Sequence, residues 1–502
     1  MRMARQPGVR DAAVLMATEA NRRTLAAQGY AGDALDSAGP NDLAIAIDGE
    51  ETAVESILAN PDTWFDSRVA GAVGADGIGM RAAREPHTIE EAAIERPDAG
   101  IAVISVPGEH AAREARAALK RGLHVFLFSS NVSIEEELSL KTEARGKALI
   151  VMGPDCGTAF IGGAGIGFAN KVRRGQIGVV ASSGTGLQEF SCLVHEAGYG
   201  ISHGIGTGSR DLSDAIGGIS TLMGIEALDA DPGSKVIALL SKPPGQATMI
   251  RVLDRLSACR KPVVVCLFGA ASPTKSGRSI GFASTIDEAV RLSIEAAGCA
   301  PPGSLRPDMP ALRKLAAREA ARMTGRQKFI RGIFAGGTFC FQCQALMREA
   351  GLVVHANSPI PGVLPLADPS KSDAHSMVDM GAEAFVEGRP HPMIDATLRR
   401  ERIRMEGRDP EVALLLLDFI LGAISSADPV GDVIEAIAEA KVSAVSRGGH
   451  LCVAASVCGT AEDDQGLDAA VRALEKAGVL VFPSNAQAAL FSRELALLLP
   501  RT

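Results

Sequence analysis

Ile177-Gly178-Val179-Val180-Ala181-Ser182-Ser183-Gly184-Thr185-Gly186 and Phe329-Ile330-Arg331-Gly332-Ile333-Phe334-Ala335-Gly336-Gly337-Thr338 share one pattern: an apolar run, a small-residue turn and the opening of a helix. A glycine turn between strand and helix leaves backbone N–H groups without partners and aimed at one point. The helix dipole adds partial positive charge there. Each turn therefore reads as an anion site of the phosphate-holding kind. Tight strand-to-helix turns also use glycine for geometry alone. Two near-matching turns in separate halves favour a phosphate site shared between two domains.

The same alternation extends outward from both turns. Strand-like runs fall at residues 43–47, 102–106, 124–128, 149–151, 177–181, 236–240 and 263–267, and in the last third at 331–334, 412–416, 451–455 and 479–482. Short apolar strands separated by Ala- and Glu-rich helices predict an α/β protein of doubly wound parallel sheets, whose strands are buried on both faces. Residues 301–326, rich in Pro and then in Ala and Arg, read as a linker followed by a charged helix. A second break falls at 171–175. The expected domains are therefore 1–173, 174–300 and 327–502, and residues 357–373 read as a long functional loop.

A chain of 502 residues exceeds one ordinary core and suggests about three domains. Its 46% hydrophobic and 22% charged residues suit a folded soluble protein, and 54 glycines against one Trp and two Tyr favour many tight turns around an aliphatic core. A net charge of −8 gives no footprint for nucleic acid. No apolar run reaches membrane-spanning length, and no signal-peptide core follows Arg2, Arg5 and Arg10. The nine cysteines form no framework. Cys266 and Cys452 lie in strand-like runs, and Cys340 and Cys343 have CxxC spacing in a predicted helix without a second pair. No metal is expected, and a reducing cytoplasm is the expected setting.

From Gly122 onward the residues resemble the α subunit of succinyl-CoA synthetase, in Met152-Gly153-Pro154-Asp155-Cys156-Gly157, in 178–185, and in Gly204-Ile205-Gly206-Thr207-Gly208. The last third resembles the C-terminal ligase domain of the β subunit, with Gly336-Gly337-Thr338 at its helix start. A fused chain of this kind is identified as a member of the FdrA family, whose own signatures resemble Ser241-Lys242-Pro243-Pro244 and Gly388-Arg389-Pro390-His391-Pro392-Met393-Ile394-Asp395. The resemblance implies a Rossmann-like, CoA-binding-type first domain and two flavodoxin-like ligase domains, each carrying one phosphate helix.

Three departures matter. The stretch matching the phosphohistidine segment, residues 268–277, has no histidine. There is no room for a nucleotide-binding grasp domain, and Pro7-Gly8-Val9-Arg10 is a poor substitute for a CoA turn. A phosphate cradle kept without its histidine suggests that the phosphate belongs to a substrate. The family is associated with anaerobic purine (allantoin) catabolism, so the resemblance implies a carbamoyltransferase subunit. The reaction would interconvert oxalurate plus phosphate with oxamate plus carbamoyl phosphate. It would use no cofactor, and it would involve a homodimer or partner subunits. The alternatives are an acyl-CoA synthetase with a separate nucleotide module and a non-catalytic phosphate- or acyl-CoA-binding protein.

The expected phosphate pocket comprises Ser182, Ser183, Gly184, Thr185, Gly336, Gly337 and Thr338. His391 and Arg389, between prolines, read as an anion clamp or as a rigid surface turn, and Asp395 as the cap of the next helix. Cys156 reads as a residue near the reacting centre, without a visible base to make it a nucleophile. Asp155 reads as a substrate-amide ligand or an Asx turn. Arg210 reads as an anion ligand or a solvated cation, and Lys242, at a strand end, as a substrate ligand. Glu189 reads as structural.

Overall fold

The structure, a computed structural model, describes residues 3, 6–27, 29–39, 42–59, 86–269, 280–387 and 389–500. The chain forms two units: residues 1–85 with 387–390, and residues 86–386 with 391–502. In the first, β1 (Val9–Met16) pairs antiparallel with β2 (Leu43–Gly49) over a small core of Met3, Ala12 and Ile57.

The second unit opens with a parallel three-stranded sheet of β3 (Ile101–Ile104), β4 (His124–Leu127) and β5 (Val151–Met152). Next come β6 (Thr158–Ile161), β7 (Ala164–Gly167), β8 (Arg174–Ala181), β9 (Ile201–Gly206), β10 (Val236–Ser241), β11 (Val263–Leu267) and β12 (Ile280–Ala283). They form one sheet in the order β12-β11-β10-β8-β9-β6-β7, parallel from β8 to β12. The antiparallel pair β6–β7 extends its β9 edge. The last third builds a parallel sheet from β13 (Phe329–Phe334), β14 (Val354–Ala356), β15 (Leu364–Pro365), β16 (His375–Asp379), β17 (Val412–Ile420), β18 (Cys452–Cys458) and β19 (Leu480–Phe482). Its order is β15-β14-β16-β13-β17-β18-β19.

Residues 1–173 thus contribute to three separate sheets, and residues 158–167 pair with strands from 174–283. Both large sheets follow the flavodoxin-like winding: the first strand is central and the chain reverses direction beside it. Ligands bind at such switch points, outside the carboxyl ends of the strands. All nine residues of β17 are buried, as a strand covered by helices on both faces requires.

Six helices matter below: α1 (Ile134–Gly146), α2 (Gly184–Glu196), α3 (Ile286–Ala296), α4 (Gly337–Glu349), α5 (Leu467–Lys476) and α6 (Asn485–Ala496). The helices α2 and α4 follow the central strands β8 and β13. Ser183 caps α2 through the Gly186 amide, at 3.0 Å. Gly336 has no side chain to cap α4. Instead the Asp418 carboxylate accepts the amides of Ala335 at 2.8 Å and Gly336 at 2.7 Å. Burial raises the Asp418 carboxyl, and Arg399, 2.8 Å away, opposes that shift.

Candidate active site

The starts of α2 and α4 meet face to face within the one chain. The hydroxyls of Ser183 and Thr338 are hydrogen-bonded to each other. A Cβ added to Gly186 would stand 3.1 Å from Thr338 Cγ2, and one added to Gly336 would stand 3.1 Å from Thr185 Cβ. Each helix thus lays a threonine on a glycine of the other, so the pairing needs no second copy of the chain.

This contact changes the expected phosphate pocket. Ser183 and Thr338 spend their hydroxyls on each other, and Gly336 gives its amide to Asp418. Ser182 is turned away from the pocket: its hydroxyl pairs with Ser241 at 2.6 Å and its amide donates to Leu240. The remaining donors are the first-turn amides of Gly184, Thr185, Gly337 and Thr338, which have no intrahelical acceptor. Gly184, Thr185 and Gly337 are half-exposed. Beside Gly184 lies Thr158, fully buried with its Oγ1 unpartnered; a Cβ on Gly184 would be 3.6 Å from that oxygen. A buried hydroxyl without a partner at a helix start is a free donor for an anion.

Asp379, which belongs to no motif in the sequence, ends β16 at the same place. A Cβ on Gly337 would stand 2.7 Å from its Oδ2. Its Oδ1 accepts the Gly381 amide at 2.9 Å, and Asn357 holds its backbone N–H and C=O at 2.8 Å each. Asn357 opens the long loop expected at 357–373. Burial pushes the Asp379 carboxyl up to about 6, while Lys242 and the Gly381 amide pull it down. Lys242 leaves the end of β10 and places its Nζ 4.8 Å from the Phe341 ring centroid on α4. The Ser182–Ser241 bond fixes the strand ends behind it.

His391 closes another side. Its ring lies 5.8 Å from that of Phe168, and a Cβ on Gly381 would meet its Nε2 at 2.6 Å. Nδ1 accepts the Met393 amide at 3.3 Å, which leaves the ring proton to Nε2. Burial pushes His391 down to about 4, against Asp155, so the imidazole is neutral near pH 7. Asp155 is exposed, with φ 56, in the turn after β5. Its charge acts on both His391 and Asp379.

Two expected site residues have other roles. Cys156 is buried, its thiol pushed up to about 12 by that burial, and its Sγ contacts the Thr158 carbonyl at 3.5 Å. A thiol held protonated is not a nucleophile. Arg210 binds Glu137 at 3.1 Å and the Val132 carbonyl at 2.6 Å. Glu137 also holds the buried Lys141 at 2.8 Å, which reaches Asp211 at 2.7 Å. Arg210 therefore belongs to a structural ion network rather than to a ligand. Arg389 falls in the first unit, while His391 lies in the second. Asp395 accepts the Thr397 amide at 2.8 Å in the turn entering the next helix. Of the histidine-free segment 268–277, residues 270–277 lie outside the described residues.

The fold and the paired helix starts define a protein of the CoA-ligase class. Residues 333–495 match the CoA-ligase family, and residues 1–77 match the AllF heavy metal-associated domain. The chain is 42% identical over 489 residues to the Escherichia coli (strain K12) protein YahF, spanning 97% of this chain and 93% of that one. It is 28% identical over 222 residues to the succinate–CoA ligase [ADP-forming] subunit alpha of Methanothermobacter thermautotrophicus, spanning 42% of this chain and 73% of that one. Among solved structures it is similar to ATP citrate lyase from Methanothrix soehngenii, with 24% identity and TM-score 0.33, spanning 43% of this chain and 38% of that chain. The chain belongs to the FdrA/AllF family of succinyl-CoA synthetase-like proteins. Residues 1–77 contain no Cys and no His, so the matched N-terminal domain lacks the thiolate and imidazole donors common in heavy-metal sites. No helix among the described residues is long and apolar enough to cross a membrane.

Proposed function

We propose that this chain is the substrate-holding subunit of a carbamoyltransferase that interconverts oxalurate and phosphate with oxamate and carbamoyl phosphate. The observation that carries the reading is an anion cradle, Gly184, Thr185, Gly337, Thr338 and Thr158 Oγ1, set against the buried acid Asp379, with no activated side-chain nucleophile beside it among the described residues. Such a cradle suits a phosphate that is itself the attacking group.

In this reading the phosphate lies on the helix starts and its oxygen attacks the ureido carbon of oxalurate. The carbon–nitrogen bond to the oxamate half then breaks. A phosphate dianion beside Asp379 raises the carboxyl further, so the acid is protonated when the site is loaded. Asp379 gives that proton to the departing nitrogen and recovers one from the attacking phosphate oxygen; in reverse it takes the amide proton of oxamate. Lys242 pairs with the substrate carboxylate. The neutral His391 donates from Nε2 to the carbonyl oxygen as its negative charge develops. The site works in the cell as part of an assembly with partner subunits.

The test is phosphorolysis. The full chain, alone and with partner subunits, is incubated with oxalurate and phosphate, and carbamoyl phosphate is read as ATP through carbamate kinase and ADP. Phosphate-dependent ATP that is lost in Asp379→Asn and His391→Ala supports the reading. The CoA-ligase match over residues 333–495 favours a second reading, acyl-CoA chemistry. No ATP in any combination, together with calorimetric CoA binding, establishes that one instead.

A further inference from the structure

A second recess lies along the outer half of α2, facing β18, β19 and α5. It encloses about 270 Å³. Its floor holds Glu189 and Asp287, each 3% exposed. Glu196 and the exposed Asp468 stand at its mouth, and aliphatic side chains such as Leu193 and Val471 form its walls. Four carboxylates line this recess and no Lys, Arg or His does.

The floor is incompletely satisfied. Asp287 Oδ1 accepts Ser484 Oγ at 2.6 Å and Gln487 Nε2 at 3.3 Å, but its Oδ2 is buried with no hydrogen-bond partner. Glu189 accepts the Asn485 amide at 3.0 Å and is hydrogen-bonded to the Cys458 thiol. Burial pushes Glu189 up to about 7 and raises Asp287 as well. Two adjacent buried acids, one with an unpartnered oxygen and neither with a cation in the recess lining, call for a positive group from outside.

The spacing says what kind. Glu189 and Glu196 are seven residues apart on one helix face, about 10 Å of rise. A compact inorganic ion fits neither the apolar walls nor the two separated acidic ends. We infer that this recess binds a small aliphatic diamine, one ammonium between Glu189 and Asp287, the methylene chain along Leu193 and Val471, and the second ammonium between Glu196 and Asp468.

Calorimetry on the full chain tests this with 1,6-diaminohexane, hexylamine and 1,6-hexanediol. The diamine binds, hexylamine binds several-fold more weakly, and the diol gives no heat. Asp287→Asn, which keeps the acceptor for Ser484, weakens the diamine at least tenfold. Glu196→Gln and Asp468→Asn change only exposed side chains, so the fold stands. They bring the diamine down to the level of hexylamine and leave hexylamine unchanged. No heat from wild-type protein at millimolar diamine overturns the inference. Equal binding of the diol, unchanged binding in all three variants, or complete displacement by potassium or magnesium ions also overturns it.

Discussion

Glu189 and Gln342 occupy the same position, the sixth residue of α2 and of α4, and each accepts the first amide of a helix that belongs to the opposite sheet. Glu189 takes the Asn485 amide of α6 at 3.0 Å, and Gln342 takes the Ile286 amide of α3 at 2.9 Å. The two halves are thus crossed: each phosphate-type helix caps a helix of the other half. This exchange, with the Thr185–Gly336 and Thr338–Gly186 contacts, sets the two helix starts against each other without a second subunit.

Glu189 does with an ionisable group what Gln342 does with a neutral one, and that difference is measurable. Burial raises Glu189 from 4.5 to about 7, so the folded state holds a proton that the unfolded chain releases. Stability therefore falls as pH rises from about 4.5 to about 7 and is level above that, by up to ~3 kcal/mol. Glu189→Gln keeps the acceptor for Asn485 and removes the ionisation. Denaturant titrations at several pH values are expected to show the variant more stable than wild type at pH 8 and the slope between pH 5 and 7 reduced. An unchanged slope would place the pH dependence elsewhere.

In the proposed reaction Asp379 carries the proton, so its substitution must alter a pH profile as well as a rate. For phosphorolysis kcat/KM falls as pH rises through about 6, where Asp379 loses its proton; oxamate carbamoylation starts from the same protonated acid and falls through the same range. Asp379→Asn is expected to lower kcat by about 10²–10⁴-fold and to remove that limb. The ionisation of phosphate is common to both proteins and cancels in the comparison.

Gly337→Ala separates folding from anion binding. The backbone at 337 is helical and alanine favours a helix by up to ~1 kcal/mol, but its Cβ would stand 2.7 Å from Asp379 Oδ2. Thermal unfolding within a few degrees of wild type, with KM for phosphate raised at least tenfold, is the expected result. An unchanged KM would mean that phosphate does not use this helix start.

The ion network around Lys141 is structural. Lys141→Met leaves Asp211 buried without its cation and Glu137 with Arg210 alone, which costs about 3–5 kcal/mol. Arg210→Ala, at a side chain 39% exposed, is expected to change stability little and KM for phosphate not at all. Unfolding curves and phosphate titrations distinguish the two.

Cys156→Ser is expected to retain activity within a few-fold, because a thiol pushed up to about 12 contributes no thiolate. Loss of activity with an intact fold would restore a chemical role for this position.

The parallel sheets were legible because their strands are continuous apolar runs bounded by glycine turns, as in 412–417 and 177–181. The two helix starts were legible for the same reason. The hairpin at 158–167 was not, since Gly162, Gly163 and Gly165 erase its alternation. Asp418 carried a signal, a lone acid inside Val-Ala-Leu-Leu-Leu-Leu-Asp-Phe-Ile, which only a buried partner explains. Asp379 acquires meaning only when β16 inserts beside β13, a pairing that local sequence does not encode. Arg210 misled for a related reason: its partner Glu137 lies 73 residues away.

Direct attack by phosphate on the carbamoyl carbon is the central claim, and the fate of a labelled oxygen tests it most directly. The assembled enzyme is given oxalurate and fully ¹⁸O-labelled phosphate, and the products are read by phosphorus and carbon NMR. The account predicts carbamoyl phosphate with ¹⁸O in the bridge between carbon and phosphorus, oxamate without label, and no requirement for CoA. Label in the oxamate carboxylate, or a product formed only with CoA, would contradict it.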